Sequence, residues 1–285
     1  MKDNRMAGQK NLKVLHVVRI IAALLVTALM FFPIYWLVIS AFKTQYEMRL
    51  AVPTLWPKQF VFDNFIEAFN VVPYTRYFFN TFVQAAGLVI LQLNVALMAA
   101  YAFAKGRFWG KELFFMLVLA ALIVPEQVTF VPVYVMMSKV GWLDTFLALI
   151  IPHGASAFGI FLLRQAFKSV NNDVIEAARV DGAGRFGILY RILLPMTLPT
   201  VVTLGILIFI SGWNSYFWPL IMTNSNDMRV LTVGIAMLRD SVAGNEALFF
   251  NVIMAASTMA IIPIVILFTL AQKHIIAAMA NSTFK

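Results

Sequence analysis

The chain has 285 residues, of which 61% are hydrophobic and only 12% are charged. This composition, with a mean hydropathy of +0.84, is typical of a polytopic membrane protein. The absence of cysteine excludes disulfides and thiolate metal sites. The net charge of +9 reflects the Lys and Arg content of membrane loops, so it does not indicate nucleic-acid binding.

Six apolar segments predict transmembrane helices, each of which needs about 20 largely apolar residues. We expect the third segment to continue past Glu126 to Ser138, and the fifth to enter the bilayer near Pro199. Because the segments are continuously apolar instead of alternating, they exclude a transmembrane β-barrel. The predicted fold is an all-α polytopic membrane protein with six transmembrane helices. Their charge-free runs are 20–42, 77–104, 113–125, 145–163, 192–226 and 247–272.

The Lys and Arg residues are unevenly divided between the loops on the two sides of the predicted helices. Seven of the 22 lie in segments 43–76, 136–144 and 227–246. The other fifteen lie in both tails and in the 105–112 and 164–196 loops. Since cytoplasmic loops carry the excess of Lys and Arg, both termini are predicted to be cytoplasmic. The first apolar run has no small-residue cleavage pattern, so we interpret it as a membrane anchor.

The loop after the second predicted helix superficially resembles a nucleotide-binding P-loop. Three residues instead of four separate Gly106 from Gly110, and Glu112 stands where a P-loop needs the Ser or Thr that holds magnesium. No strand is predicted before it. The sequence therefore predicts no nucleotide site in this chain and no enzymatic activity of its own.

Residues 171–195 form a polar segment that is longer than a simple connection between two helices requires. Asp173 is predicted to N-cap a short helix, with Glu176 three residues later as in a capping box. Asp181-Gly182 predicts a turn after that helix, because glycine adopts a positive φ without steric cost.

A second amphipathic stretch is predicted after the turn. Phe186, Leu189 and Leu193 have the spacing of one helix face, and Pro195 is expected to end the stretch. A helix, a turn and a helix on the surface of a membrane protein predict a docking element.

This segment resembles the EAA loop in the membrane subunits of bacterial ATP-binding-cassette (ABC) importers. The motif is met by Glu176-Ala177-Ala178, Asp181-Gly182-Ala183 and Ile192-Leu193-Leu194-Pro195. The likeness covers about residues 75–275 and is to MalG-like permeases of the carbohydrate-uptake branch. Its other elements are Pro132-Val133-Tyr134, Gly141-Trp142-Leu143-Asp144-Thr145, Ile151-Pro152, Trp213-Asn214, Trp218-Pro219 and Met254-Ala255-Ala256-Ser257.

The resemblance implies a type I ABC importer transmembrane domain with a MetI-like architecture, in the inner membrane of a bacterium. It divides the chain into an N-tail, first helix and periplasmic loop (1–74), a permease core (75–272) and a C-tail (273–285). The residues expected to couple to an ATPase are Glu176, Ala177, Ala178, Asp181, Gly182 and Ala183.

The resemblance also implies partners. They are a MalF-like second permease, two ATPase subunits, an extracytoplasmic solute-binding protein and membrane lipid, with no nucleic acid. ATP and Mg²⁺ would be held by the ATPase subunits, so this chain is expected to need no cofactor and no metal.

Polar side chains inside the predicted helices could contact a transported substrate or bond a neighbouring helix. We regard Trp213, Asn214, Tyr216 and Glu126 as the best pathway candidates, because aromatic faces suit sugar rings and amides bond hydroxyls. The tryptophans could equally be packing residues or interface anchors. The full set of polar positions is Gln84, Gln92, Asn94, Glu126, Gln127, His153, Ser156, Asn214 and Ser215.

The predicted helices contain no internal Lys or Arg, which favours a neutral sugar or oligosaccharide as substrate. Glycerol-3-phosphate or its diesters remain an alternative, since segments 161–165 and 207–220 are also similar to glycerol-3-phosphate permeases. A secondary transporter, the alternative outside ABC importers, would need an ion-coupling site and inverted repeats, which the sequence does not display. The 43–76 loop either contacts a partner or only returns the chain to the membrane.

Overall fold

The computed structural model describes the backbone of residues 2–240 and 250–283, and the side chains of residues 16–238 and 250–273. The described residues form helices and connecting loops. Part of the predicted 227–246 segment, residues 241–246, lies outside them. The helices are α1 (Lys2–Ser40), α2 (Gln45–Met48), α3 (Asp63–Val71), α4 (Tyr74–Lys105), α5 (Lys111–Ala120), α6 (Glu126–Lys139), α7 (Phe146–Ile150), α8 (Ala157–Ser169), α9 (Asn172–Val180), α10 (Arg185–Gly187), α11 (Leu194–Met196), α12 (Leu198–Trp213), α13 (Phe217–Met222), α14 (Leu231–Asp240) and α15 (Phe250–Thr283).

Three short helical turns of other types link these helices. Residues Ala121–Ile123 and Ile151–His153 are 3₁₀-helical, and Ile188–Leu193 form a π-helix between α10 and α11. Helix α15 continues to Thr283, so most of the predicted 273–285 tail extends the last helix.

Three helical segments are long and apolar enough to cross a membrane alone: His16–Ser40, Tyr74–Lys105 and Phe250–Lys273. Three further pairs of helices qualify only if each bent pair forms one span, which gives up to six spans in the described residues. The pairs are Lys111–Ile123 with Glu126–Lys139 (bent by 98°), Phe146–His153 with Ala157–Ser169 (48°) and Arg185–Met196 with Leu198–Trp213 (89°).

The third predicted segment, which continues past Glu126 to Ser138, consists of two helices, because the chain bends by 98° at Val124-Pro125. Val124 is extended, with φ −78° and ψ 117°. A proline disfavours helical geometry in the residue before it, so the helix ends there and α6 begins anew at Glu126.

The described chain separates into two compact units. The first comprises residues 1–71 and 238–259, and the second comprises residues 72–237 and 260–285. In the first unit, buried Lys43 donates to the Thr54 carbonyl and lies 4.0 Å above the Trp36 ring. Burial lowers the pKa of Lys43, although the nearby Glu47 carboxylate opposes the shift. Segment 43–76 is therefore folded around buried polar groups.

Amide side chains connect this loop to the chain's last helix within the same unit. The Asn64 amide donates to the Ala41 and Lys43 carbonyls at 2.8 and 2.9 Å. Asn251 in α15 in turn donates to Asn64 Oδ1 at 2.7 Å. These bonds fix the start of α3 against the first turn of α15.

The second unit is built around α4, which packs against α8 and α12. Small residues allow the close approach: Ala85 and Ala96 of α4 are fully buried. A Cβ at Gly159 of α8 would lie 3.4 Å from the Ala96 Cβ, and one at Gly212 of α12 would lie 3.1 Å from the Ala85 Cα. Helices inside a bilayer associate by such close packing, because lipid supplies no hydrophobic drive between them.

Polar bonds hold the loop before α14 against the first turns of α4 and against Asp144. Asn80 donates to the carbonyls of Asp227 and Arg229 at 2.8 Å each. Asp144, at a positive φ of 61°, accepts the backbone N–H groups of Asn224 and Ser225. Burial alone would raise the pKa of Asp144, but the hydrogen bonds from Ser225 and Asn224 and the nearby Arg229 guanidinium outweigh it and lower the pKa.

Two glycines of α12 give a matched test of the close packing. Replacing Gly212 with Ala puts a methyl group against the α4 backbone, at a typical overpacking cost of about 1–3 kcal/mol. Gly205→Ala meets nothing within 4 Å, and alanine favours a helix over glycine by up to about 1 kcal/mol. We expect Gly212→Ala to lower the thermal unfolding midpoint of the detergent-purified protein and Gly205→Ala to leave it unchanged or raise it. Equal midpoints for the two variants would contradict the packing.

Candidate functional site

Helix α9 carries the first half of the predicted docking segment. It begins at Asn172, and the Asn171 side chain caps it by accepting the Asp173 N–H at 3.1 Å. The predicted N-cap at Asp173 is therefore wrong, since Asp173 lies inside the first turn. There its carboxylate accepts from the Asn171 amide at 3.0 Å. The error is two residues, because Asn171 and Asp173 are both good capping types and the helix starts at the earlier one.

The two faces of α9 have different surroundings. Ile175 and Ala178 are 2% and 8% exposed and join the core of the second unit. Glu176 and Ala177 lie on the exposed side. The helix is thus anchored by one face and presents the motif's acidic residue on the other.

The turn predicted at Asp181-Gly182 is confirmed. Gly182 has a φ of +83°, and the N–H groups of Asp181 and Gly182 donate to the carbonyls of Ala177 and Arg179. Asp181 and Gly182 are exposed, whereas Ala183 is half-buried and donates its N–H to Ala178 at 2.9 Å. All but one residue of the predicted coupling set, Ala178, therefore have an accessible surface.

The second half of the segment differs from the prediction in two ways. Leu189 and Leu193 are buried at 1% and 0% exposure, but Phe186 is 68% exposed and does not share their face. Pro195 does not end the stretch, because the helical residues continue without a break from Arg185 to Met196. The chain bends at Thr197 instead, whose hydroxyl donates to the Leu193 carbonyl at 2.7 Å.

Exposed apolar side chains accompany the motif, a feature that the sequence interpretation missed. Val174, Val180 and Phe186 are 38%, 87% and 68% exposed. Large apolar side chains on an otherwise polar surface are typical of protein contact sites. Together with the exposed acidic residues Glu176 and Asp181 and the exposed basic residues Arg179 and Arg185, they give the segment a mixed apolar and charged surface.

Charged groups connect this segment to the neighbouring helices. Lys105, at the end of α4, donates to the Val170 carbonyl and to Asn172 Oδ1, both at 2.7 Å.

Arg164 of α8 is 4% exposed and forms a two-pronged ion pair with Glu112 at 2.8–2.9 Å. The Arg164 guanidinium also lies 3.7 Å from the centre of the Phe115 ring. Glu112, which excluded a P-loop, thus has a structural partner.

A cavity of about 1160 Å³ with a mixed polar and apolar wall lies among the helices of the second unit. It brings together most of the polar positions that the sequence placed inside apolar helices, along with two of the four pathway candidates, Glu126 and Tyr216. The other polar positions on its wall are Gln84, Gln92, Gln127, His153, Ser156 and Ser215. Ser211 also lines the cavity; it precedes Ser215 by four residues, and this spacing could have revealed it.

The remaining candidates lie outside the cavity wall. Trp213 is 2% exposed; its indole N–H donates to the Ala260 carbonyl at 3.0 Å, and its ring contacts Phe78 and Phe209. Asn214 is the exposed C-cap of α12. Asn94 accepts a 2.8 Å hydrogen bond from the Tyr190 hydroxyl, so it joins α4 to the docking segment.

The part of the chain that the structure describes holds no group of three or more His, Asp or Glu side chains arranged for a metal ion. Polar groups on a cavity wall and an exposed segment with the acidic motif are two features of the described residues that can serve a function. The first can bind a polar solute, and the second can bind a protein.

A family model for the inner membrane component of binding-protein-dependent transport systems matches residues 92–281. This chain belongs to that family. Members of the family are permease subunits of ABC importers, and they are not catalytic themselves. The match covers the whole docking segment and the cavity helices except the part of α4 before residue 92, which carries Gln84 and Leu88.

Characterised and named relatives cover nearly all of the chain. A probable ABC transporter permease, YurM of Bacillus subtilis, is 32% identical over 89% of this chain and 83% of its own length. The arabinooligosaccharide transport permease AraQ of Halalkalibacterium halodurans is 33% identical over 87% and 88% of the two chains. The sn-glycerol-3-phosphate transport permease UgpE of Yersinia enterocolitica is 31% identical over 94% and 95%.

Solved structures show the same fold. A chain in the crystal structure of a bacterial ABC transporter that imports the acidic polysaccharide alginate has a TM-score of 0.82 at 23% identity, over 92% of this chain and 97% of that one. A chain in an alginate transporter complexed with its pentasaccharide-bound periplasmic protein has a TM-score of 0.59 at 18% identity, over 88% and 92%. At these identities the likeness concerns the permease fold alone.

The turn at Gly182 supports a test with a matched control two residues away. At Gly182 an L-residue would be held in the left-handed region, at a cost of about 1–2 kcal/mol. Gly184 has an ordinary φ of −72° and, like Gly182, open space around a Cβ. We expect Gly182→Val to reduce co-purification of the ATPase subunit with normal membrane abundance, and Gly184→Val to reduce it much less. If both variants retained the ATPase equally, the conformation of this turn would not matter for coupling.

Proposed function

We propose that this permease forms half of the translocation pathway of an ATP-driven importer of a neutral sugar or oligosaccharide. In this proposal a MalF-like second permease completes the pathway, and an extracytoplasmic solute-binding protein delivers the substrate. Two ATPase subunits hold ATP and Mg²⁺ and drive the cycle. The chain lies in the bacterial inner membrane with both termini cytoplasmic, as the distribution of Lys and Arg favours.

Segment 171–195 is the proposed contact with the ATPase subunits. The support is its division into an anchored face, which holds Ile175 and Ala178, and a protruding face with Glu176, Asp181 and Phe186. Movement of a bound ATPase would act on α4 through Lys105 and on α8 through the chain itself. Glu176, Ala177, Ala178, Asp181, Gly182 and Ala183 are the residues proposed to form or shape this contact.

The composition of the cavity wall is the observation that carries the choice of substrate. Gln, Ser, His and Tyr side chains line it, Glu126 is its one carboxylate, and no Lys or Arg belongs to the lining among the described residues. Hydroxyl groups of a sugar can bond these side chains, whereas a phosphate ester would meet no cation. Glycerol-3-phosphate is nevertheless the second candidate, because UgpE permeases are 29–31% identical to this chain.

Glu126 and Tyr216 are proposed pathway residues because both line the cavity. The role of Trp213 and Asn214 as pathway residues stays a prediction with a weaker basis, since neither residue belongs to the cavity wall. The aromatic side chains of Tyr216 and Trp218 can cover a sugar ring, and the polar groups can orient it.

Uptake by the reconstituted transporter distinguishes the two substrates. Proteoliposomes would hold this chain with the second permease and ATPase encoded beside it, and with the cognate binding protein outside. We expect ATP-dependent uptake of a neutral saccharide, tested with arabinooligosaccharides and a mixture of plant-derived mono- and oligosaccharides, and little uptake of sn-glycerol-3-phosphate. Uptake of the phosphate ester alone would overturn the neutral substrate, and uptake that did not depend on ATP would overturn the importer itself.

A further inference from the structure

Two buried polar atoms on the cavity wall lack hydrogen-bond partners. They are Gln84 Oε1 and His153 Nε2. Among the side-chain atoms that the structure describes as buried and unpartnered, no others belong to residues of the cavity wall. Gln84 is 1% exposed, so bulk solvent does not satisfy its oxygen. Leaving such a group unbonded costs about 1–3 kcal/mol, so an occupant of the cavity that bonds the group would gain that energy.

The two side chains stand on adjoining walls. Gln84, Gly87 and Leu91 share one face of α4 by their spacing. A Cβ at Gly87 would lie 2.5 Å from Ile150 Cδ1, and one at Gly154 would lie 2.7 Å from Leu91 Cδ2. The backbone around His153 is therefore pressed against the same face of α4 that carries Gln84.

The His153 ring is held in place by its neighbour. The ring of Trp218 meets it edge-on with 4.6 Å between the ring centroids. Trp218 is itself fixed by a 2.9 Å hydrogen bond from its indole N–H to the Ala148 carbonyl. A binding group whose orientation is set before the ligand arrives costs less to order when the ligand binds.

The chemistry of the two atoms selects the kind of group that binds. Gln84 Oε1 only accepts hydrogen bonds, whereas Nε2 of a neutral imidazole donates or accepts according to its tautomer. A hydroxyl group both donates and accepts, so it can satisfy either atom. Since the lining lacks Lys and Arg and includes Glu126, an anionic group is disfavoured at this position.

We propose that Gln84 and His153 form a hydroxyl-binding subsite that recognises the transported saccharide inside this permease. The inference rests on the proposed function and adds a specificity determinant within the chain. The competing hydrogen-bond partner of these two atoms is a polar side chain of the second permease. The test below distinguishes that side chain from a saccharide hydroxyl.

The test compares three variants of the complete reconstituted transporter. Gln84→Met and His153→Phe remove the bonding atoms and keep most of the side-chain volume. Gln165→Met makes the same chemical change at an exposed position of α8 outside the cavity. Uptake is measured for the neutral saccharide that the wild-type transporter imports from the mixture and for its mono-deoxy analogues.

We expect each cavity variant to raise the KM for uptake about 3- to 10-fold, the effect of one hydrogen bond. We also expect it to weaken the preference for the saccharide over the deoxy analogue that lacks the recognised hydroxyl. A purely structural role would not change that preference, and Gln165→Met should alter neither quantity.

Three outcomes would overturn the subsite. Unchanged KM and unchanged preference in both cavity variants would leave the two residues without a role in recognition. Loss of co-purification with the second permease would assign the two atoms to the subunit contact. If the wild-type transporter imports no neutral saccharide, the proposed function fails first, and this result is visible before any variant is made.

Discussion

The close approach of α4 to α8 and α12 is the constraint on which the rest of the second unit depends. In a bilayer the packing of helices relies on van der Waals contact, so the contact must be tight. Fully buried Ala85 and Ala96 face glycines that leave no room for a Cβ without local movement. Because these contacts hold α8 and α12 against α4, they also fix the part of the cavity wall that α4 and α12 share.

Helix α4 also contacts the docking segment. Lys105 ends α4 and bonds the backbone and side chain that begin α9, while Tyr190 of the π-helix bonds Asn94 in the middle of α4. In addition, Ile175 of α9 packs into the hydrophobic core that includes residues of α4. The segment is therefore bound to α4 at two levels, and a force applied to its exposed face is transmitted to the helix that carries Gln84. This mechanical connection is the physical basis of the proposed coupling.

Features that depend on local chemistry could be predicted from the sequence. The apolar runs and the turn at Gly182 agree with the structure, because helix length and a positive φ are set by a few neighbouring residues. The bend at Val124-Pro125 also has a local signal, because a proline disfavours helical geometry in the residue before it, even though the apolar segment continues past Glu126. Phe186 was assigned to the wrong face because the π-helix after α10 changes the spacing of its side chains.

The cavity could be predicted only in part. The polar residues that line it were recognisable, since Gln84 and His153 stand out within apolar runs. Asn94 and Trp213 also stand within apolar runs but do not line the cavity. What separates them from Gln84 and His153 is the tertiary partner that each side chain contacts. Asn94 meets Tyr190 and Trp213 meets the Ala260 carbonyl, and neither contact leaves a trace in the local sequence.

The most direct test of the account is whether the docking segment is a cytoplasmic surface that the ATPase covers. A single cysteine replaces Val180, which is 87% exposed, with Trp109→Cys at 88% exposure in the preceding loop as the control. A membrane-impermeant thiol reagent should label neither position in intact cells and both in inside-out vesicles stripped of the ATPase. Adding the ATPase back should protect position 180 and leave position 109 reactive. Labelling of position 180 from outside the cell, or equal labelling with and without the ATPase, would contradict the account.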